Sequence, residues 1–200
     1  SKQGAWTEVD PTGPLSIYGA SKLAGEEAVQ QLCIKHMIFR VSWVFSEFAH
    51  NFVKTMLHLG STREQLRVVS DQIGKPTCAR EIARVVLEIL PKHHNHWGLY
   101  HLAQPDVTSW HGFAQAVFHT AGHHPAGIPL IVKEVQPIPT SGYPTPAERP
   151  ANSTLDTTKL QKTFGLGMSN WQQSLSQTLS VLESQALTFN IEQNNDQTSE

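Results

Sequence analysis

The sequence predicts an α/β fold with a largely parallel sheet, and three observations predict it. A helical pattern over residues 18–32 leads into HMIFRVSWVF, residues 36–45, an apolar, β-branched and aromatic run that suits a strand buried on both faces. The alternation then repeats, with FVKTMLHLG helical and LRVVSDQ extended. REIARVVLEIL follows as an amphipathic helix with Ile82, Val85, Val86 and Ile89 at helical spacing.

The remaining elements follow in order. Residues 1–15, rich in Pro, Gly and Thr, read as a surface loop feeding the first helix. GLYHLA is a short strand, and TSWHGFAQAVFHTAG is a helix capped by Thr108 or Ser109, whose hydroxyls can accept from the free N–H groups of the first turn. IVKEVQPI is a further strand and SGYPTPAERPANSTLD a proline-rich loop. Helices are expected near 157–164 and 171–184, and the polar tail FNIEQNNDQTSE is expected to be disordered. Cys33 and Cys78 form no spaced pair and are expected as buried, reduced thiols.

Composition excludes several function classes. With 15 basic and 17 acidic residues and a net charge of −2, the chain offers no basic stripe for nucleic acid. No apolar run reaches the ~20 residues of a membrane span, so a cytoplasmic protein with no nucleic-acid or membrane partner is expected. Eleven histidines include HHNH at 93–96 and the pair His123 and His124, but both clusters lie in polar connections without Cys or carboxylate ligands at useful spacing. They read as solvated loops, and no metal ligands are assigned. No strand, Gly-rich loop and helix unit occurs: the glycines of FGLGMSN precede no βαβ unit, and Gly60 stands alone.

The stretch with chemical content is IYGASKLAGEE, residues 17–27. A tyrosine four residues ahead of a lysine shares its helical face, so the Tyr18 phenol and the Lys22 ammonium can reach one site. A phenol is a poor proton donor or acceptor at neutral pH unless a cation stabilises its phenolate, and Lys22 supplies one. The pair can protonate a developing alkoxide, or take a proton from an alcohol, in step with hydride transfer. Gly19, Ala20 and Ser21 leave room for a flat ring or a sugar. The same spacing also suits a helix end covered by Tyr18 with Lys22 as a solvated charge.

Four stretches, in order, change that balance: YGASKLAGE, RVSWVF, DQIGKPT and YPTPAERPANSTLD. With them the chain resembles the extended short-chain dehydrogenase/reductase family and, within it, the dTDP-4-dehydrorhamnose reductases, over about residues 7–182. The resemblance implies the C-terminal part of an NAD(P)-binding, Rossmann-like doubly wound sheet over 1–104, a small substrate-binding α/β subdomain over most of 105–185, and a tail from 186. It implies Tyr18 as catalytic acid and Lys22 as the lysine that tunes it, both touching a NADPH or NADH cofactor. Trp43 matches a tryptophan against the deoxysugar, where an indole face meets C–H surface; a core aromatic is the other reading. Asp71, Gln72 and Thr77 are ligand contacts or a structural turn. Arg149 pairs with a nucleotide phosphate, or fixes its loop through Glu148 or Asp156.

The resemblance further implies reduction of the C4 ketone of dTDP-4-dehydro-6-deoxy-L-mannose to dTDP-L-rhamnose, for cell-surface polysaccharide. It admits a homodimer and a Mg2+ ion in the complete protein, with no ligands placed in this sequence. Complete relatives carry the glycine-rich loop, and a Ser or Thr beside the tyrosine, ahead of the Tyr–Lys pair. The chain is therefore expected to be the C-terminal two-thirds of a reductase, with an uncovered sheet edge, and inactive by itself. Two rivals share parts of the pattern: a non-catalytic homologue such as the regulatory subunit of methionine adenosyltransferase, and an epimerase or dehydratase of another nucleotide sugar.

Overall fold

The computed structural model describes residues 2–92, 95–123, 128–145 and 147–185, with the backbone alone of 186–197. The α/β expectation holds, and the sheet pairing is mostly parallel. Strand β1 (Met37–Arg40) pairs in parallel with β6 (Gly98–His101), β2 (Val44–Phe45) with β5 (Thr77–Cys78), and β3 (Gln65–Val69) with β8 (Glu134–Ile138). Parallel neighbours need crossovers of a dozen or more residues. Helices α2 (Phe52–Thr62), α3 (Ala79–Ile89) and α4 (Trp110–Gly122) lie within these crossovers. Helix α1 (Ile17–Leu32) opens on Ser16, whose hydroxyl accepts from Gly19 N–H at 3.1 Å. Asn51 and Ser109 cap α2 and α4 in the same manner.

A separate small sheet joins two of the sequence motifs, DQIGKPT through β4 (Ile73–Gly74) and YPTPAERPANSTLD through β9 (Asn152–Ser153). Strand β4 runs antiparallel to β7 (Thr108–Ser109) and parallel to β9. Two-residue strands are too short for a periodicity to register, which is why residues 141–156 read as loop throughout. The N-terminal segment is likewise more than a loop. Trp6 bridges to Leu155, accepts from Asp156 N–H at 2.7 Å and donates from its indole to the Asn152 carbonyl at 3.0 Å.

Two further expectations are corrected. HMIFRVSWVF is two strands rather than one, broken at residues 41–43, and Val41 and Val44 are 41% and 45% exposed. The break arises because Trp43 takes a positive φ of 45°, which no strand accommodates. Cys33 is exposed, whereas Cys78 is buried. Cys33 sits at the C-terminal end of α1, and no residue of that helix is buried. Along the same segment Ile17, Leu32 and Ile34 are 90%, 87% and 89% exposed.

Two apolar clusters hold the fold. One joins Phe45, Val53 and Cys78 to Phe113, Trp171 and Leu175, the last two from α6 (Trp171–Gln197). The other joins Val85, Ile89 and Tyr100 to Leu160 and Phe164 from α5 (Thr158–Phe164). Both draw residues from before and after position 104. The backbone of 186–197, expected as part of a disordered tail, continues α6, while the side chains from 186 onward and residues 198–200 lie outside the described residues.

Gln104 joins the layers through polar contacts at zero exposure. Its carbonyl accepts from Cys78 N–H at 2.8 Å, and its amide donates to Ser174 Oγ at 2.8 Å and to the Ser169 carbonyl at 3.0 Å. Gln104→Leu keeps the volume and strips the Cys78 N–H of its acceptor. Each buried group left unpaired costs about 1–3 kcal/mol, so the urea midpoint is expected to fall accordingly. An unchanged midpoint contradicts this.

Candidate functional site

The exposed start of α1 presents the Tyr–Lys pair. Tyr18 is 72% exposed, and Lys22 Nζ lies 5.6 Å from the centre of its ring. The helix is tied to β1 by a forked ion pair in which Arg40 donates to both Glu26 oxygens, at 2.6–3.0 Å. Glu26 ends YGASKLAGE and Arg40 opens RVSWVF, so the two motifs are joined through their own terminal residues.

From Arg40 the chain enters the turn at Trp43, where three stretches converge. Ser42 Oγ donates to the Ser153 carbonyl at 3.0 Å and accepts from Lys75 N–H at 3.4 Å. Thr77 N–H donates to the Trp43 carbonyl at 3.1 Å. The indole of Trp43 stacks on Trp110, with ring centres 3.6 Å apart and planes 11° from parallel. Gly74 lies against that indole so closely that a Cβ there would be 2.4 Å from Trp43 Cε2. A left-handed backbone costs a bulky residue about 1–3 kcal/mol, and one stacked aromatic pair returns only about 0.5–1.5 kcal/mol. Trp43 is thus held in an unfavourable conformation by the elements around it.

The other predicted residues fall in different surroundings. Gln72 is buried and donates to Thr140 Oγ1 at 3.1 Å, and Thr77 is fully buried with its hydroxyl donating to the Lys75 carbonyl. Both arrangements fit the structural turn. Arg149 is exposed three residues before β9, and among the described residues it forms no ion pair with Glu148 or Asp156. Among the described residues no three His, Cys, Asp or Glu side chains gather as a metal site, and no helix is long and apolar enough to cross a membrane. His93, His94 and His124 lie outside them.

Asp71 fastens the turn to the segment after β8. Its carboxylate accepts from Thr140 Oγ1 at 2.6 Å and from Thr140 N–H at 2.9 Å. The Thr140 hydroxyl, with the Thr140 amide second, holds this carboxyl below its ordinary value. A carboxyl lowered in the folded chain contributes stability that is complete above the ordinary carboxylate pKa of about 3.9 and is lost as pH falls through the lowered value. Protection of the Thr140 amide from hydrogen exchange is therefore expected to drop in acid, in that window, after correction for intrinsic rates. Asp71→Asn should remove the dependence; protection that ignores pH in the wild-type chain contradicts the assignment.

Sequence reasoning did not find Glu26, Arg40, Ser42, Gly74 or Trp110. Trp110 was legible only as an apolar residue beginning a helix, and Glu26 and Arg40 only as members of motifs.

The chain is similar to known proteins in sequence and fold. Residues 1–184 match the family model described as the RmlD substrate binding domain. The chain is 44% identical over 180 residues to the dTDP-4-dehydrorhamnose reductase of Escherichia coli K12, covering 88% of this chain and 60% of that protein. It is 40% identical over 192 residues to the enzyme of the same name from Burkholderia thailandensis, covering 92% and 64%. The crystal structure of a dTDP-4-dehydrorhamnose reductase from Clostridium acetobutylicum superposes with a TM-score of 0.83 at 36% identity, over 91% of this chain and 61% of that one. The Bacillus anthracis enzyme, solved in complex with NADP, gives 0.77 at 34%, over 87% and 58%. The chain spans about 60% of the length of the relatives it matches.

Proposed function

The chain belongs to the family of RmlD substrate binding domains, and from that premise we propose that it takes part in the reduction of dTDP-4-dehydrorhamnose to dTDP-L-rhamnose. The observation that carries the reading is the Tyr18–Lys22 pair on an exposed helix turn, clamped by Glu26 and Arg40 to the strand that leads to Trp43. In this reading residues 1–104 present the proton donor and Trp43, and 105–185 supply most of the substrate subdomain, including Trp110 and the Arg149 loop.

Reduction of a ketone places negative charge on its oxygen. Tyr18 donates its phenolic proton there. Lys22, one turn on, stabilises the negative charge that the departing proton leaves on the phenol oxygen. With Trp110 stacked on one face of the indole and Gly74 against the other, Trp43 offers an apolar edge, rather than the face first expected, to the C–H surface of the deoxysugar and fixes the orientation of its ketone. Arg149, exposed and close to β9, pairs with a diphosphate oxygen, and Gln72 contributes through the turn it stabilises.

The exposed phenol and ammonium of Tyr18 and Lys22 suit adjacent ribose hydroxyls, and they are the residues that would hold the nicotinamide end of NADPH or NADH. When bound, that cofactor supplies the hydride. The complex of the B. anthracis reductase with NADP supports this choice of group.

The test is to join the chain to the glycine-rich-loop half of a relative such as the E. coli reductase, since the chain by itself is expected to be inactive, incubate the joined protein with NAD(P)H and dTDP-4-dehydrorhamnose, follow loss of nicotinamide absorbance and identify the product chromatographically. Formation of dTDP-L-rhamnose is expected. A product from UDP-sugars with none from the dTDP-ketone would transfer the chain to another nucleotide-sugar reaction.

A further inference from the structure

The geometry points to Trp110 and Gly74 as positioning residues that set the plane of the Trp43 indole, and through it the pose of the deoxysugar. The inference rests on the reading of Trp43 as a sugar contact.

Three independent observations converge on it. The Trp43 backbone sits at φ 45°, a conformation that persists only where its surroundings hold it. Trp110 covers one indole face at 3.6 Å and 11°, and is itself braced by Phe52 at a ring distance of 4.6 Å. Gly74 abuts the indole where no side chain fits, and as part of β4 it is fixed from both sides by β7 and β9. Trp110 directly follows β7, so one sheet holds both residues that bear on the indole. An indole held this way has one orientation to offer. A sugar reads that orientation, whereas the nucleoside diphosphate does not depend on it.

The experiment compares the wild-type chain with Trp110→Leu, Trp110→Phe and Gly74→Ala. Circular dichroism reads the exciton couplet of the stacked indoles, and calorimetry reads the affinities for dTDP-L-rhamnose and for dTDP. Trp110→Leu should abolish the couplet and weaken dTDP-L-rhamnose binding up to about tenfold, the size of one aromatic pair, with dTDP binding unchanged. Trp110→Phe, which keeps a stacking face, should lose the couplet but recover most of the sugar affinity. Gly74→Ala should distort the couplet and weaken the sugar complex while Trp110 remains, and it serves as the measurement if Trp110→Leu does not fold.

Wild-type affinity for dTDP-L-rhamnose in Trp110→Leu and Gly74→Ala overturns the inference and leaves the reductase reading standing. Equal losses for dTDP and dTDP-L-rhamnose also overturn it, since a positioned indole acts on the sugar alone. If the wild-type chain binds dTDP-L-rhamnose no better than dTDP, the reading of Trp43 as a sugar contact fails, and the inference falls with it.

Discussion

Tyr18→Phe, in the chain joined to a glycine-rich-loop half, is expected to lower the turnover of dTDP-4-dehydrorhamnose by about 10²–10⁴-fold, the usual contribution of a positioned proton donor. The substitution removes one hydroxyl and little else. Tyr18 is 72% exposed at the start of α1, so deleting its oxygen breaks no core contact, and Phe and Tyr have similar helix propensity. The thermal midpoint should not move. The loss should fall on kcat rather than KM, because the proton is transferred only as the alkoxide develops. Nearly wild-type turnover in Tyr18→Phe would remove Tyr18 from the chemistry and favour a non-catalytic role for the chain.

That prediction comes from a motif the sequence displays openly, and the reason is physical. A four-residue spacing on a helix places two side chains on one face whatever the tertiary context, so the pairing of Tyr18 with Lys22 is legible from the amino-acid order alone. α3 was legible on similar grounds, because Ile82, Val85, Val86 and Ile89 repeat at the helical period. The turn at Trp43 was not. Hydrophobic periodicity reports which residues are apolar, and a tryptophan at positive φ inside an apolar run looks the same as one in a strand.

Long-range pairings were hidden for a related reason. Ser42, Lys75 and Ser153 meet through single hydrogen bonds between segments far apart in the chain, and each reads locally as an ordinary loop or strand residue. Trp110 and Gly74 have meaning only beside Trp43. The motifs were visible one by one; their convergence on the β7–β4–β9 sheet required the fold.

Phe113→Ala is expected to destabilise the chain by about 3–5 kcal/mol, a large part of the ~5–15 kcal/mol that holds a typical domain together. Phe113 is 1% exposed and stands where four elements meet. Its ring contacts Phe45 of β2 edge-on at 5.5 Å, stacks with Phe52 of α2 at 5.2 Å and meets Trp171 of α6 edge-on at 5.3 Å. These partners are themselves large and locked against other core residues, so they cannot collapse into the space an alanine leaves. The cost therefore includes a cavity as well as lost transfer energy. Urea unfolding should show a lowered midpoint with an unchanged slope, and a loss below about 1 kcal/mol would mean that the neighbouring rings repack, a degree of plasticity that interiors of this density rarely allow.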